Sequence, residues 1–457
     1  MSGAEPDGTR ITGELCRYIA GALGRKLPAE VAAKARHHLI DTLAAMVSGS
    51  RLGPGQAAIK YVRALGGTGE ALLAGTDFIT TAVNAALANG MLAHADETDD
   101  SHVGARTHIG CSIVPASLAM AERGGRDGEA LLRAIVLGYD VAARINFALG
   151  PDYLLKGPHN PHSLGPGFGA AAAAGALAGI DADRAVHLLA YAANQSSGLR
   201  IYMRDESHIG KAFDFGGMPA RNGVTSATMV EAGFTGVADA LTGQFGFFEA
   251  FSPDPDLAAL VDGLGSRFEI MRTNIKKWSV GSPAQAALDS LEALMAEHAF
   301  SAADVQALDA HMPDDRAHIV DDRKMPDINL QHLLAVLLTD GALSFETSHD
   351  YARMKDPAIL DLKRRITMVP SNELTRARPE RQAIIEITLD DGRRLTHRTR
   401  AVRGTPENPM ESAEIEAKAR DLMAPVLGKD QADGLIEAVR AIEKLSDARE
   451  LRRWLAA

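Results

Sequence analysis

Between residue 12 and about residue 260, apolar positions recur at the three- and four-residue spacing of amphipathic helices. LPAEVAAKARHHLIDTLAAMVSG (27–49) sets Val31, Ala35, Leu39, Leu43 and Met46 on one face, opens near Pro28 and stops at Gly49. GEALLRAIVLGYDVAARINFAL (128–149) and DADRAVHLLAYAANQSSG (181–198) repeat the pattern. Their many Ala and Gly residues predict close helix–helix approach. The period changes after about residue 265. DVQALDAHMP (304–313) alternates as a strand does, and RQAIIEITLDDGRRLTHRTRAV (381–402) reads as a hairpin. In it Ile384, Ile385 and Ile387 precede an Asp-Gly turn at 391–392. Helices are expected at 284–297 and 329–340, and helix resumes from 411. The expected fold class is therefore mostly α. A large all-helical domain (1–267) is followed by a smaller α+β lid domain (268–404), inserted before C-terminal helices (405–457) that return to the first domain.

The 457-residue length favours more than one domain, and 46% hydrophobic with 23% charged residues is ordinary for a globular chain. A net charge of -11 argues against nucleic acid or an anionic membrane as partner, since both require a basic face. Two cysteines, Cys16 and Cys111, can form at most one bridge, which fits a reducing compartment. MSGAEPDGTRITGEL contains no apolar stretch of the kind a secretory signal needs. The longest apolar run, FGAAAAAGALAGI (168–180), is too short to span a bilayer. The expectation is a cytoplasmic protein.

One stretch breaks this ordinary picture. HADETDDSHVGARTHIGCS (94–112) gathers four acids, three histidines and an arginine between His94 and His108. If the helix predicted from residue 80 continues, Asp96, Asp99 and Asp100 share one face near its C-terminus. There they repel one another and oppose the helix dipole, so the pattern points to chemistry rather than stability. A magnesium reading lacks a second acidic ligand set and an aromatic-lined pocket, in a chain with 5% aromatics. A zinc reading through His94, His102 and His108 lacks the i, i+4 pairing of a helical zinc motif. A solvated acidic helix end is the plain alternative. Acid/base chemistry fits best. His102 and His108 flank a Gly-containing turn, and a helix starting after Gly110 puts His108 where an anion is welcome.

Positive charge concentrates in two further stretches. GLRIYMRDESHIGKAFDFGGMPARNG (198–223) carries Arg200, Arg204, His208, Lys211 and Arg221 around Gly-Gly. RTNIKKWSVGSPAQAALDS (272–290) carries Arg272, Lys276 and Lys277 before Gly281-Ser282-Pro283. Cations beside Gly-rich turns in an acidic chain read as anion clamps, while surface ion pairs are the plain reading of any one of them. Neither a dinucleotide-binding nor a phosphate-loop glycine motif is present.

Taken in order, these stretches resemble the MmgE/PrpD family, which includes 2-methylcitrate dehydratases, cis-aconitate decarboxylases and iminodisuccinate epimerases. LIDTLAAMVSG looks like its N-terminal helix. ANGMLAHADETDDSH followed by THIGCSIVPASLAMAE looks like its most specific motif. GGMPARNGVTSATMVEAGFTG, NIKKWSVGSPAQAALDSL and ITLDDGRRL with GTPENP resemble further blocks. The resemblance implies a large helical domain with a smaller α+β one, no metal or other cofactor, and a homodimer. It makes His108 the loop histidine, Glu97 the leading motif carboxylate, Ser101 the motif hydroxyl and Lys276 the lysine of the second cationic block. Lys211 matches a further active-site lysine, one residue out of register. The chain departs from the family at three points. Glu97 stands where many relatives carry Asp. Asn160, between His159 and His162, occupies the place of a second histidine. The histidine that some relatives carry after the lysine block is absent.

Together these readings give an expected site. Its catalytic residues are His108, Lys276, Lys211, Glu97, Asp99 and Asp100. Ser101, His102, His162, Arg204, His208 and Lys277 are expected to bind substrate. The expected activity is a cofactor-independent lyase of the dehydratase type, acting on a small di- or tricarboxylate of the 2-methylcitrate or aconitate kind. Epimerisation of an iminodisuccinate-like dicarboxylate and cis-aconitate-type decarboxylation are the alternatives within enzymes. A carboxylate-binding protein without activity is the alternative outside them.

Overall fold

The helical periodicity becomes helices at the expected places in a computed structural model that describes residues 8–457. The chain is mostly α with a small α+β part, and it divides into two units, 1–273 with 422–457, and 274–421. The expected boundaries were 267/268 and 404/405. Physical ties account for the difference. Phe268–Arg272 stays with the first unit because the Glu269 amide donates to Asp140 (2.6 Å) and its carboxylate meets His102 (3.1 Å). Residues 405–421 stay with the second because Arg403 pairs with Glu414 and the Phe345 amide donates to Asp421 (2.6 Å).

The first unit is built from α1 (Gly8–Gly21), α2 (Ala29–Gly49), α3 (Gly53–Leu65), α4 (Ala82–Ala93), α5 (Gly110–Gly124) and α6 (Gly128–Leu149). These are followed by α7 (Pro151–Lys156), α8 (Pro161–Leu177), α9 (Ala182–Asn194), α10 (Ile209–Ala212) and α11 (Met218–Glu231). A two-residue ladder joins β1 (Ala71–Leu72) to β2 (Ile79–Thr80). The second half of α2, most of α5 and most of α8 are buried on every side. Such helices need apolar or small residues all round, which their Ala-rich sequences supply. Arg144, fully buried, donates to the carbonyls of Ala259, Asp262 and Arg267 and pins the irregular segment after α11 to α6. Both cysteines are buried, and neither forms a disulfide among the described residues. Among the described residues no helix is long and apolar enough to cross a membrane.

One close approach positions the site. Between α10 and α11 the chain makes a wide π turn, Phe213–Gly217. Its Gly216 lies backbone to backbone against Gly90 of α4. A Cβ on Gly90 would sit 2.4 Å from the Gly216 carbonyl oxygen, and one on Gly216 would sit 1.9 Å from that of Gly90. Only glycine at both positions lets α4 and the π turn meet.

The second unit carries a four-stranded sheet in the order β4-β3-β5-β6, with β3 (Val305–Pro313), β4 (Ile366–Ser371), β5 (Ala383–Leu389) and β6 (Arg394–Thr399). β3 runs parallel to β4 and antiparallel to β5, and β5 and β6 form the hairpin across the Asp391-Gly392 turn. Ala383, Ile385, Ile387 and Leu389 alternate inward from β5 onto a core shared with the helices Gln285–Glu297 and Leu330–Asp340.

A Gly90→Ala variant should lose about 1–3 kcal/mol of stability, as overpacked core sites do. The midpoint of denaturant unfolding measures this, and an unchanged midpoint would mean that the backbone contact is not tight.

Candidate active site

The helix predicted to carry three acids on one face ends before reaching them. α4 stops at Ala93, and His94 already has non-helical backbone angles. Each carboxylate in the following loop instead finds its own donors, which like charges stacked on one helical face could not do. Asp96 accepts from the Thr98 amide (2.9 Å) and hydroxyl (2.7 Å), closing a local turn. Asp100 accepts from His38 Nδ1 (2.7 Å), the Tyr139 hydroxyl, and the amides of Gly110 (2.9 Å) and Ile109 (3.3 Å). It thus caps the N-terminus of α5 and ties it to α2 and α6. Burial raises the Asp100 pKa, but the His38, Tyr139 and Gly110 hydrogen bonds outweigh it and leave the carboxyl below its usual range. A Cβ on Gly110 would lie 2.6 Å from the Tyr139 hydroxyl and 2.9 Å from the Asp100 carboxylate, so only glycine fits this strut.

Asp99 makes a different set of contacts. It is fully buried and lies between two imidazoles, His94 Nδ1 at 3.0 Å and His108 Nδ1 at 3.1 Å. Burial again opposes the charge, yet His108 and His94 together hold the carboxyl well below its usual pKa. An ionised carboxylate only accepts, so both Nδ1 atoms carry the proton. In its neutral form each ring therefore presents Nε2 as a lone pair. His162 has the opposite tautomer. Its Nδ1 accepts from the His108 backbone amide (3.1 Å), so a neutral ring carries its proton on Nε2. Burial first, then His108 and Lys211, depress the His162 pKa well below the usual value and keep the ring neutral. The centroids of His108 and His162 are 5.2 Å apart. One neighbour is set to take a proton and the other to give one.

Phe215, on the π turn, organises the rings. His162 stacks on it at 3.8 Å and 11°, His94 at 4.5 Å and 19°. Tyr202 meets it edge-on at 4.8 Å, and Lys211 Nζ lies 5.1 Å from its centroid. Lys211 pairs with Glu97. Burial works against the lysine's charge, but Glu97 overrides it and raises the pKa. His208 lies 5.3 Å from His94, centroid to centroid, with left-handed backbone (φ 60). Burial and then Lys211 push its pKa down to about 3. Among the described residues, two trios offer ligand atoms within 4.8 Å of one another, His94–Asp99–Cys111 and His94–Glu97–His208.

The structure thus brings His108, Asp99, His162, His208, Lys211 and Glu97 into one cluster of the first unit. Of the two histidines flanking Asn160, His162 is the one beside His108. Asn160 caps α8 by accepting from the His162 amide (3.0 Å), whereas His159 packs on Phe251. Ser101 is buried in the same loop. His102 is held at both ring nitrogens, by Glu269 (3.1 Å) and the Ala105 amide (3.0 Å). Arg204 is exposed at the end of the turn Arg200–Arg204. Lys276, buried, and Lys277, paired with Glu292 and 4.5 Å from the Trp278 ring, belong to the second unit. Sequence reasoning passed over Phe215, Tyr202, His38 and Tyr139, and weighed His94 only as a zinc ligand. The one available signal was the His94-x-x-Glu97 spacing, which puts a second imidazole beside the acids.

Comparisons with known proteins identify the family. Residues 13–260 match the MmgE/PrpD N-terminal domain and residues 278–444 the MmgE/PrpD C-terminal domain. The chain is 25% identical to the cis-aconitate decarboxylase-like protein oryM of Aspergillus oryzae, covering 99% of this chain and 98% of that protein. It is 23% identical to the cis-aconitate decarboxylase of Aspergillus terreus, covering 97% and 96%.

Burial holds His38 at about 4 and His208 at about 3, against 6.5 for a free imidazole. Both rings are neutral in the folded state and gain protons more readily once unfolded. Their contribution is fully present above about pH 6.5 and is lost as the pH falls toward 4. The melting temperature should drop through this window, and His208→Gln should flatten the slope. A melting temperature that is constant from pH 6.5 to 4 would contradict the neutral assignment.

Proposed function

Because the chain belongs to the MmgE/PrpD family, whose matched relatives are enzymes, we propose that it is a lyase for a small di- or tricarboxylate of the 2-methylcitrate or aconitate kind. The observation that carries this reading is the pair of neighbouring imidazoles in opposite tautomers, set beside the Lys211–Glu97 pair.

Dehydration and decarboxylation of such acids share one difficulty. Each puts negative charge on carbon next to a carboxylate, and that enolate-like charge needs a cation nearby. Lys211, held charged by Glu97, supplies it and receives a substrate carboxylate. The resemblance assigns a parallel role to Lys276. In dehydration, His108 Nε2 removes the proton alpha to the carboxylate while His162 Nε2–H protonates the departing hydroxyl. In decarboxylation, the C–C electron pair passes into the adjoining π system as CO₂ leaves, and protonated His108 returns a proton to carbon. Asp99 favours both states of His108, since it fixes the neutral tautomer and pairs with the cation. Asp100 acts as the frame of the loop. The A. terreus relative is named for decarboxylation, which favours C–C cleavage over water loss.

A panel of small polycarboxylates followed by NMR in D₂O tests the proposal. Loss of CO₂ or water from one of them is expected. Deuterium gained at the alpha carbon with neither loss would replace the lyase by an epimerase. Thermal stabilisation without any product would replace it by a binding protein. His108→Ala should lower turnover by roughly 10² to 10⁴, the usual span for a general acid/base, and Lys211→Ala should also lower it.

A further inference from the structure

The proton-transfer reading leaves one feature of the cluster unused. His94, Glu97 and His208 surround a single buried point, each with a ligand atom within 4.8 Å of the other two. Their exposures are 0%, 7% and 5%. His94 commits Nδ1 to Asp99 at 3.0 Å, so Nε2 is the nitrogen left to ligate. Among the described residues, that Nε2 has no hydrogen-bond partner, and neither does the buried Nε2 of His208. Buried polar atoms normally find partners, so two unpartnered imidazole nitrogens beside a carboxylate are an unusual concentration of unmet demand. Two imidazoles and one carboxylate are also a donor set for a borderline-soft divalent ion. The Asp99–His94 bond adds the backing carboxylate that orients a metal-binding imidazole and raises its basicity.

We propose that His94, Glu97 and His208 form a binding site for a divalent transition ion of the zinc class, and that the ion inhibits the enzyme. Inhibition follows from Glu97. This carboxylate pairs with Lys211, and once it ligates an ion it no longer neutralises the lysine. The ion's own double charge then stands beside the ammonium and beside His108, whose ring is 5.1 Å from that of His94. Lys211 loses the carboxylate that positions it, and the bound ion repels the ammonium from the place where a substrate carboxylate would meet it. Binding rests only on this geometry, whereas inhibition rests also on the lyase reading.

The test uses the untagged full-length protein, stripped with EDTA and dialysed. Titration with Co²⁺ should produce the visible absorption of a low-coordinate nitrogen/oxygen site, and Zn²⁺ should displace it at one ion per chain. His94→Ala and His208→Ala should each weaken Zn²⁺ binding at least 10-fold, on the scale of losses seen for groups that merely support a metal ligand. Lys211→Ala should strengthen it, because a competing cation leaves Glu97. That increase keeps the proposal testable if a histidine variant does not fold. Zn²⁺ should abolish turnover and EDTA restore it. Absence of a Co²⁺ spectrum overturns the site, as does binding unchanged by His208→Ala but lost in Cys111→Ala, which would move the ion to the other trio. Ion binding without turnover of any substrate upholds the site and sinks the lyase reading. Full turnover with the ion bound sinks the inhibition.

Discussion

A buried carboxylate between two imidazoles sets the terms for the rest of this molecule. Asp99 has no solvent to share its charge, so the N–H groups of His94 and His108 hold it ionised. In return, Asp99 decides which nitrogen of each ring bears a proton. His162, tied to the His108 backbone, takes the opposite assignment. The tautomers on which the proposed proton transfer depends follow from one charge and the few donors arranged around it.

Asp100, the next residue, shows how little chain separates chemistry from support. Its donors are His38, Tyr139 and the amides opening α5, so it fixes where that helix begins and hence where His108 stands. The two aspartates divide the labour because the backbone leaves α4 before them and lets neighbours face different ways. A continuous helix would have forced both onto the same surface. The glycines at 90, 110 and 216 serve that arrangement by letting helices and turns approach more closely than a side chain allows.

Much of this was legible in the residues. Periodicity located the long helices, because their burial is one-sided or complete and the pattern of Leu39 to Met46 or Ile384 to Ile387 reports it directly. The dense loop from His94 to His108 marked a candidate site, and in the structure Asp99 does meet His94 and His108. The helix assumed to run through Asp96 was illegible as a break, since the one glycine in TTAVNAALANGMLAHAD, Gly90, lies inside α4 and not at its end. The break is fixed instead by donors more than 20 residues away, His38 and Tyr139. Phe215 and Tyr202 were invisible for a similar reason. An aromatic platform is defined by what stacks on it, and His162 reaches it from α8 while His94 reaches it from the loop that follows α4. Low aromatic content overall concealed how many rings gather at this one place.

The π turn at 213–217 carries one more implication. A wider turn takes in an additional residue while the helices on either side keep their own periods, so position along the chain and position in space part company there. Lys211 stands before the turn and Met218 after it. Counting residues through this stretch against a relative that lacks the bulge would shift the lysine by one place and give the role to a neighbour. Evolutionary bookkeeping across the family, and any transplant of this loop into another member, has to begin from the turn rather than from the count.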